Sequence, residues 1–159
     1  KYALDFACDV YNIDDKSLKE EILNSHSELE AYPDAPNTLA ALKRKSILTA
    51  VLSNGSPSSL SKEMKLTKLD GAVGRVFSTE QTHSFKPSPV VYAYVEQQLG
   101  FPASKIAFVS SNSWDIVGAV SYGFYSVWLN RHNRTSEKLP YEANCEIKSL
   151  DELDSILGT

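Results

Sequence analysis

The spacing of apolar residues changes character part-way along the chain. Over residues 2–11, and again from 16 to about 29, apolar side chains recur at helical spacing, which predicts two helices. Asp14 or Asp15 stands where a cap of the second helix belongs. Pro33 then interrupts the pattern, and we expect a linker there.

Beyond this linker, short apolar runs alternate with amphipathic segments. Runs at 47–52, 105–109 and 124–129 are continuous, as in strands buried on both faces of a parallel sheet. The alternation predicts an α/β fold built from parallel βαβ units, with helices on both faces of the sheet. The remaining predicted elements are helices at 37–45, 58–66, 88–99, 113–122 and 150–157 and short strands at 75–78 and 145–147.

Composition narrows the classes of partner. The chain has 159 residues, 42% of them hydrophobic, which suits one globular domain. Its net charge of −4 and its scattered basic residues argue against a nucleic-acid partner. Cys8 and Cys145 lack zinc-ligand spacing, and we expect neither a disulfide framework nor a metal site. No apolar run reaches the roughly 20 residues that span a bilayer and no leader is evident, so we predict a cytoplasmic protein with no membrane partner.

The beginning of the chain suggests trimming. Residue 1 is Lys1, the single methionine is Met64, and the first helical pattern starts almost at once. We therefore expect that the sequence is a fragment with a segment removed upstream.

Polar residues cluster where the predicted strands end. Ser53, Asn54 and Gly55 follow the first long run, Lys86 precedes the long helix, and residues 110–115 follow the second run. Ligands of open parallel sheets bind beyond the carboxyl ends of the strands. These three loops are therefore predicted to line one crevice.

Each loop also has an ordinary structural interpretation. Residues 53–57 have turn and capping chemistry, and Lys86 could be a solvated loop residue. Tyr92 could be a core aromatic residue, and Asp115 could simply begin a helix. The conjunction of all three loops favours a functional site over any of these interpretations taken singly.

The same strings resemble a known family. Residues 51–57, the pair Lys86-Pro87 with Tyr92 beyond it, and above all residues 108–115 are similar to type II L-2-haloacid dehalogenases. The resemblance extends to residues 128–131 and covers essentially the whole chain. It implies the haloacid dehalogenase-like fold, a Rossmannoid three-layer α/β sandwich with a parallel sheet.

The resemblance also implies a division of the chain. Residues 1–31 would be the last helices of a helical cap, and residues 32–159 the core without its first strand. In the family that strand lies centrally and carries the nucleophilic aspartate. Neither that aspartate nor an arginine of the early cap has a counterpart here, since Asp34 and Asp70 lie on other elements. Without the strand, apolar faces of its neighbours would be exposed.

The implied reaction is a two-step hydrolysis of a small 2-halocarboxylate. An aspartate displaces halide from C2 with inversion, and water then opens the ester to a 2-hydroxy acid. By position, Ser53 would bind the substrate carboxylate and Asn54 would lie near the departing halide. Trp114 would wall the pocket around the apolar end of the substrate.

The other implied roles concern the nucleophile and the water. Lys86 would orient the nucleophilic carboxylate, with Tyr92 supporting it and Ser110 anchoring the same group. Asn112 and Asp115 would place or activate water, with Asp115 as the second-step base. No cofactor is implied. Homodimers are common in the family, which the sequence alone neither supports nor opposes.

Two alternatives stay open. A magnesium-dependent phosphatase of the same fold would carry Gly-Asp-x-x-x-Asp where this chain has Ser110, Ser111 and Asp115. Loss of one acid should weaken binding of Mg²⁺, which prefers carboxylate oxygen. The second alternative is an inactive fragment or homologue that keeps the pocket for binding.

Overall fold

A computed structural model describes residues 2–25 and 29–157 and shows helices alternating with parallel strands. The helices are α1 (Tyr2–Val10), α2 (Lys16–Ser25), α3 (Asp34–Arg44), α4 (Pro57–Leu66), α5 (Pro89–Leu99), α6 (Ser113–Tyr122) and α7 (Leu153–Leu157). The strands are β1 (Ala50–Ser53), β2 (Arg75–Ser78), β3 (Ala107–Ser110), β4 (Tyr125–Leu129) and β5 (Cys145–Ile147). In the described ranges, no helix is long and apolar enough to cross a membrane.

Local chemistry explains where the core helices begin and end. Ser56 caps α4 by accepting from the Ser59 amide, and Pro57 occupies the first turn. Gly100 and Gly123 end α5 and α6 in the left-handed region, with φ of 72° and 116°. These stops lie where the sequence predicts them.

The strands form two parallel sheets. Strand β1 pairs with β2, and β4 lies between β3 and β5. Within the described residues, β1 and β3 each have a strand on one side only. The predicted parallel α/β architecture is therefore confirmed. The strands do not form one continuous sheet, however, because β1 and β3 are not paired with each other.

Burial differs between β4, which has a strand on each side, and the strands β1 and β3, which have a strand on one side only. Strand β4 is buried from Ser126 to Leu129. Strands β1 and β3, by contrast, begin with the exposed Ala50 and Ala107, and their other residues are only half-buried. The prediction that both are buried on both faces is wrong for the described chain, because neither has a strand on its second edge.

Several predicted boundaries are also wrong. The first long strand covers 50–53 rather than 47–52, because residues 45–47 close the end of α3 through bonds to its last carbonyls. The helix predicted at 37–45 begins at Asp34, since a proline is tolerated in a first turn, where amides lack partners anyway. The second helix ends at Ser25 and excludes Leu29, while residues 26–28 lie outside the described part.

Apolar contacts stabilise two regions of the core. One cluster holds β4 and β5 against α7 through Val127, Ile147 and Leu153. The other places Tyr92 of α5 against Ala119 and Phe124 beside the second sheet. Helices α1 and α2 pack far less, and Cys8 is their one buried residue in the described ranges. The assignment of residues 1–31 to a cap and 32–159 to a core stays a prediction.

Arg131, in the polar loop after β4, is paired and largely buried. Its guanidinium donates to both carboxylate oxygens of Asp34, at 2.7 and 2.9 Å, and lies 4.2 Å from the Tyr32 ring centroid. Ser149 Oγ and the Leu150 amide donate to the same carboxylate. The Arg131 side chain holds the pKa of Asp34 down at about 2. This cluster fixes the start of α3 against the loops after β4 and β5.

Candidate active site

Asp115 lies at the centre of the candidate site. Its side chain, in the first turn of α6, is only 3% exposed. Carboxylate Oδ2 accepts from Lys86 Nζ at 2.8 Å and from Ser110 Oγ at 3.1 Å. Carboxylate Oδ1 lies 3.3 Å from the Tyr92 hydroxyl, which also approaches the Asp115 carbonyl at 3.4 Å. Three predicted site residues thus meet at the carboxylate of a fourth.

Lys86 connects the two halves of the divided sheet. Its ammonium, on a side chain 11% exposed, reaches Asp115 beside β3 and the Leu52 carbonyl of β1, the latter at 3.1 Å. The same nitrogen lies 5.5 Å from the Phe108 ring centroid and 6.0 Å from that of Trp114. Cation–π attraction adds to the ion pair at such distances. The Leu52 carbonyl is a site group that the sequence does not reveal.

Tyr92 contacts the Lys86–Asp115 pair from the buried side, through Asp115. It is fully buried among aromatic rings, edge-on to Phe108 and Phe124 at centroid distances of 5.9 and 5.6 Å. Burial, together with the charge of Asp115, raises the pKa of Tyr92 far above its ordinary value. Its hydroxyl therefore stays protonated and donates towards Asp115.

Gly118 allows α6 to approach this network closely. A Cβ built on Gly118 would lie 2.4 Å from the Tyr92 hydroxyl oxygen and 2.6 Å from Pro87 Cβ. Any side chain there would separate Asp115 from Tyr92 and Lys86. The sequence motifs do not reveal Gly118 as a site residue, although a glycine inside a predicted helix can mark a position of close packing.

The loop after β1 is joined to the Lys86 loop by hydrogen bonds. Asn54 Oδ1 accepts from the Lys86 amide at 2.9 Å, and Asn54 Nδ2 lies 3.5 Å from the Lys86 carbonyl. The hydroxyl of Ser53 accepts from the Gly55 amide at 3.0 Å, and Ser78 donates to the Gly55 carbonyl at 2.6 Å. This turn therefore has the structural role that its residue types predict, and the functional roles of Ser53 and Asn54 stay predictions.

The other two predicted site residues lie at the junction of β3 and α6, Asn112 as the cap of α6 and Trp114 in its first turn. The Asn112 amide donates to Ser110 Oγ at 3.2 Å, and the Asn112 carbonyl accepts from the amides of Asp115 and Ile116. Trp114 is 42% exposed, with its ring near the Lys86 ammonium. Asn112 thus contacts Ser110 of the Asp115 network directly, and Trp114 adjoins Asp115 in the sequence.

The donors and charges define the chemistry that this site supports. A paired ammonium and carboxylate, flanked by hydroxyl and amide groups at the carboxyl ends of parallel strands, suits orientation of an anionic reactant. Among the residues that the structure describes, no three His, Cys, Asp or Glu side chains are grouped as metal ligands.

Comparison with known proteins assigns the family. The sequence model of the family described as haloacid dehalogenase-like hydrolase matches residues 6–123 of the chain. The (S)-2-haloacid dehalogenase 1 of Pseudomonas sp. (strain CBS-3) is 38% identical over 156 residues, which are 98% of this chain and 69% of the relative. The chain belongs to the haloacid dehalogenase-like hydrolase family.

Solved structures agree with this assignment. A dehalogenase crystallised with an intermediate complex is 35% identical, with a TM-score of 0.91 over 97% of this chain and 69% of that one. A haloacid dehalogenase-like phosphatase from Thermococcus onnurineus is 28% identical, with a TM-score of 0.77 over 97% and 70%. The resemblance predicted from the sequence motifs is confirmed, as is the haloacid dehalogenase-like fold.

Proposed function

We propose that the chain is the larger part of an (S)-2-haloacid dehalogenase, which converts short 2-haloalkanoates to (R)-2-hydroxy acids and halide. The observation that carries this proposal is the buried network of Lys86, Ser110, Tyr92 and Asp115 at the carboxyl ends of β1 and β3. Relatives named for this activity support the proposal.

The nucleophile would come from outside these residues. In the proposal, a strand carrying an aspartate fills the space between β1 and β3, which have unpaired edges in the described chain. The half-buried residues of both strands would then gain a neighbour. The ammonium of Lys86, held between Leu52 and Asp115, would meet the incoming carboxylate and keep it ionised.

The proposed first step is a displacement at carbon. A nucleophilic carboxylate oxygen forms a bond to C2 while the carbon–halogen bond breaks, and the halide leaves with the electron pair. Ser53 would bind the substrate carboxylate, Asn54 would lie near the halide, and Trp114 would enclose the apolar end. Such positioning of two reactants is a major source of rate enhancement.

The proposed second step opens the ester. Water held by Asn112 attacks the ester carbonyl carbon while Asp115 takes one proton. That proton then passes to the departing alcohol oxygen, and the carboxylic acid left on the nucleophile loses its own proton to solvent, which regenerates the nucleophilic carboxylate. Asp115 Oδ1 has only the long contact to Tyr92 as a side-chain hydrogen bond, so it is the oxygen better placed to accept.

A phosphatase is the second candidate, because a phosphatase of this fold is 28% identical to the chain. The donor set fits it less well. Ser110 and Ser111 stand where an acid would join Asp115 around Mg²⁺, and Asp115 is already neutralised by Lys86 at 2.8 Å. A hard cation prefers several carboxylate oxygens, which these residues do not supply.

Halide release tests the proposal. We would express the chain with its upstream coding segment and supply (S)- and (R)-2-chloropropionate with EDTA, beside the 159-residue chain. We expect chloride from the S form alone, only with the upstream segment, and regardless of EDTA. Absence of release by the well-folded longer protein would refute the proposal, and Mg²⁺-dependent phosphate release would favour the phosphatase.

We further propose a cytoplasmic homodimer. Light scattering of the longer protein tests the association, and a monomer at all concentrations would contradict it.

A further inference from the structure

The Asn54 side chain forms its hydrogen bonds with the main chain of Lys86. Its carbonyl oxygen accepts from the Lys86 amide at 2.9 Å, a distance typical of a well-formed hydrogen bond. Its amide nitrogen lies 3.5 Å from the Lys86 carbonyl, a longer and weaker contact. The two contacts join the loops after β1 and before α5, which are 32 positions apart in the sequence.

This joint matters because of what Lys86 does at its other end. The Lys86 ammonium bonds the Leu52 carbonyl and the Asp115 carboxylate, so its position decides the geometry of the network. Leu52 is two residues before Asn54, on the strand that leads into the same turn. Strand β1 and its turn thus hold Lys86 at both its main chain and its ammonium.

We propose that Asn54 is a positioning residue, which sets the Lys86 main chain so that its ammonium reaches the reacting carboxylate. This inference rests on the proposed dehalogenase function and adds to it a role distinct from contact with halide. The carbonyl end of Asn54 carries the positioning role, because the 2.9 Å bond uses that atom.

An activity-independent test follows the Lys86 amide by hydrogen exchange in the longer protein that includes the upstream segment. In Asn54→Ala we expect exchange at Lys86 to accelerate roughly tenfold, because its acceptor is gone. In Asn54→Asp the carboxylate oxygen can still accept, and protection should stay near that of the wild type. Asn37→Ala, an exposed change on α3, is the matched control and should leave the Lys86 amide unaffected.

The kinetic test uses the longer protein with 2-chloro- and 2-bromopropionate. Positioning predicts a fall in kcat of roughly 10- to 100-fold in Asn54→Ala, equal for both halides and with little change in KM. It also predicts partial rescue by Asn54→Asp. Direct contact of Asn54 with halide predicts instead that Asn54→Asp is less active than Asn54→Ala, because a carboxylate repels the departing anion. It also predicts a loss of kcat that differs between the chloride and bromide substrates.

The outcomes separate the inference from the proposed function. Unchanged exchange at Lys86 in Asn54→Ala, or a halide-dependent loss with Asn54→Asp the worse variant, would overturn the positioning role. No halide release by the wild-type longer protein would refute the dehalogenase function instead. The exchange experiment would still decide whether Asn54 holds Lys86.

Discussion

Replacing Gly118 by alanine tests how closely α6 must approach the site. The added methyl would lie 2.4 Å from the Tyr92 hydroxyl oxygen and 2.6 Å from Pro87 Cβ, roughly 1 Å inside ordinary contact. Neither neighbour yields easily, since Tyr92 is fully buried among aromatic rings and Pro87 is a rigid ring. Overpacking of this kind costs about 1–3 kcal/mol, and the better helix propensity of alanine offsets up to about 1 kcal/mol.

We therefore expect Gly118→Ala to lower the free energy of unfolding by about 1–2 kcal/mol, measured by urea denaturation. Gly71→Ala is the matched control, because no atom lies within 4 Å of a Cβ at that position. It should be neutral or slightly stabilising. Tyr92→Phe removes the nearest clashing atom, so the cost of Gly118→Ala should shrink in that background without vanishing. A neutral or stabilising Gly118→Ala would refute the close approach of α6.

Three further predictions concern charged and buried groups. Lys86→Met should lower the free energy of unfolding by about 3–5 kcal/mol, because it leaves the Asp115 carboxylate buried and unpaired. Adding Asp115→Asn should restore part of that loss. If the losses of the two single variants simply add in the double variant, the ion pair is contradicted. The pKa of Asp34 falls from 3.8 to about 2 through Arg131, so its roughly 1–2 kcal/mol of stability should be present above pH 3.8 and disappear as pH falls through 2. Asp34→Asn should flatten that part of the stability profile, and an unchanged profile would count against the pair. Tyr92→Phe should cost about 1 kcal/mol in urea denaturation, because its contacts to Asp115 are long, and a loss above 3 kcal/mol would show a stronger bond.

The sequence predicts those parts of the molecule that depend on local chemistry. Ser56, Gly100 and Gly123 mark helix ends through capping and left-handed backbone, which need few residues to specify. Parallel topology brings the carboxyl ends of strands together, and for that reason the sequence alone predicts that Lys86 and Asp115 lie near each other, as they do.

Contacts set by tertiary packing could not be predicted in this way. Arg131 and Asp34 lie 97 positions apart, and nothing in the local sequence shows that an arginine in a polar loop is paired and largely buried. The Leu52 carbonyl is a backbone group, so the sequence cannot mark it as the acceptor for Lys86. The limited burial of β1 and β3 depends on which strands lie beside them, which the apolar pattern of either strand does not show.

The charge of the site places a condition on the proposed reaction. Lys86 and Asp115 neutralise each other, and within the described chain the Lys86 ammonium has two hydrogen-bond acceptors for its three donors. The third donor can take a nucleophilic carboxylate, but that group and a 2-halocarboxylate together would bring two negative charges to a neutral pair. Like charges at close range raise the pKa of a carboxylate, which works against the ionised nucleophile that the displacement needs. A dehalogenase reaction at this site is therefore favoured by at least one further cation or hydrogen-bond donor beside the substrate, which would help to keep the nucleophile ionised.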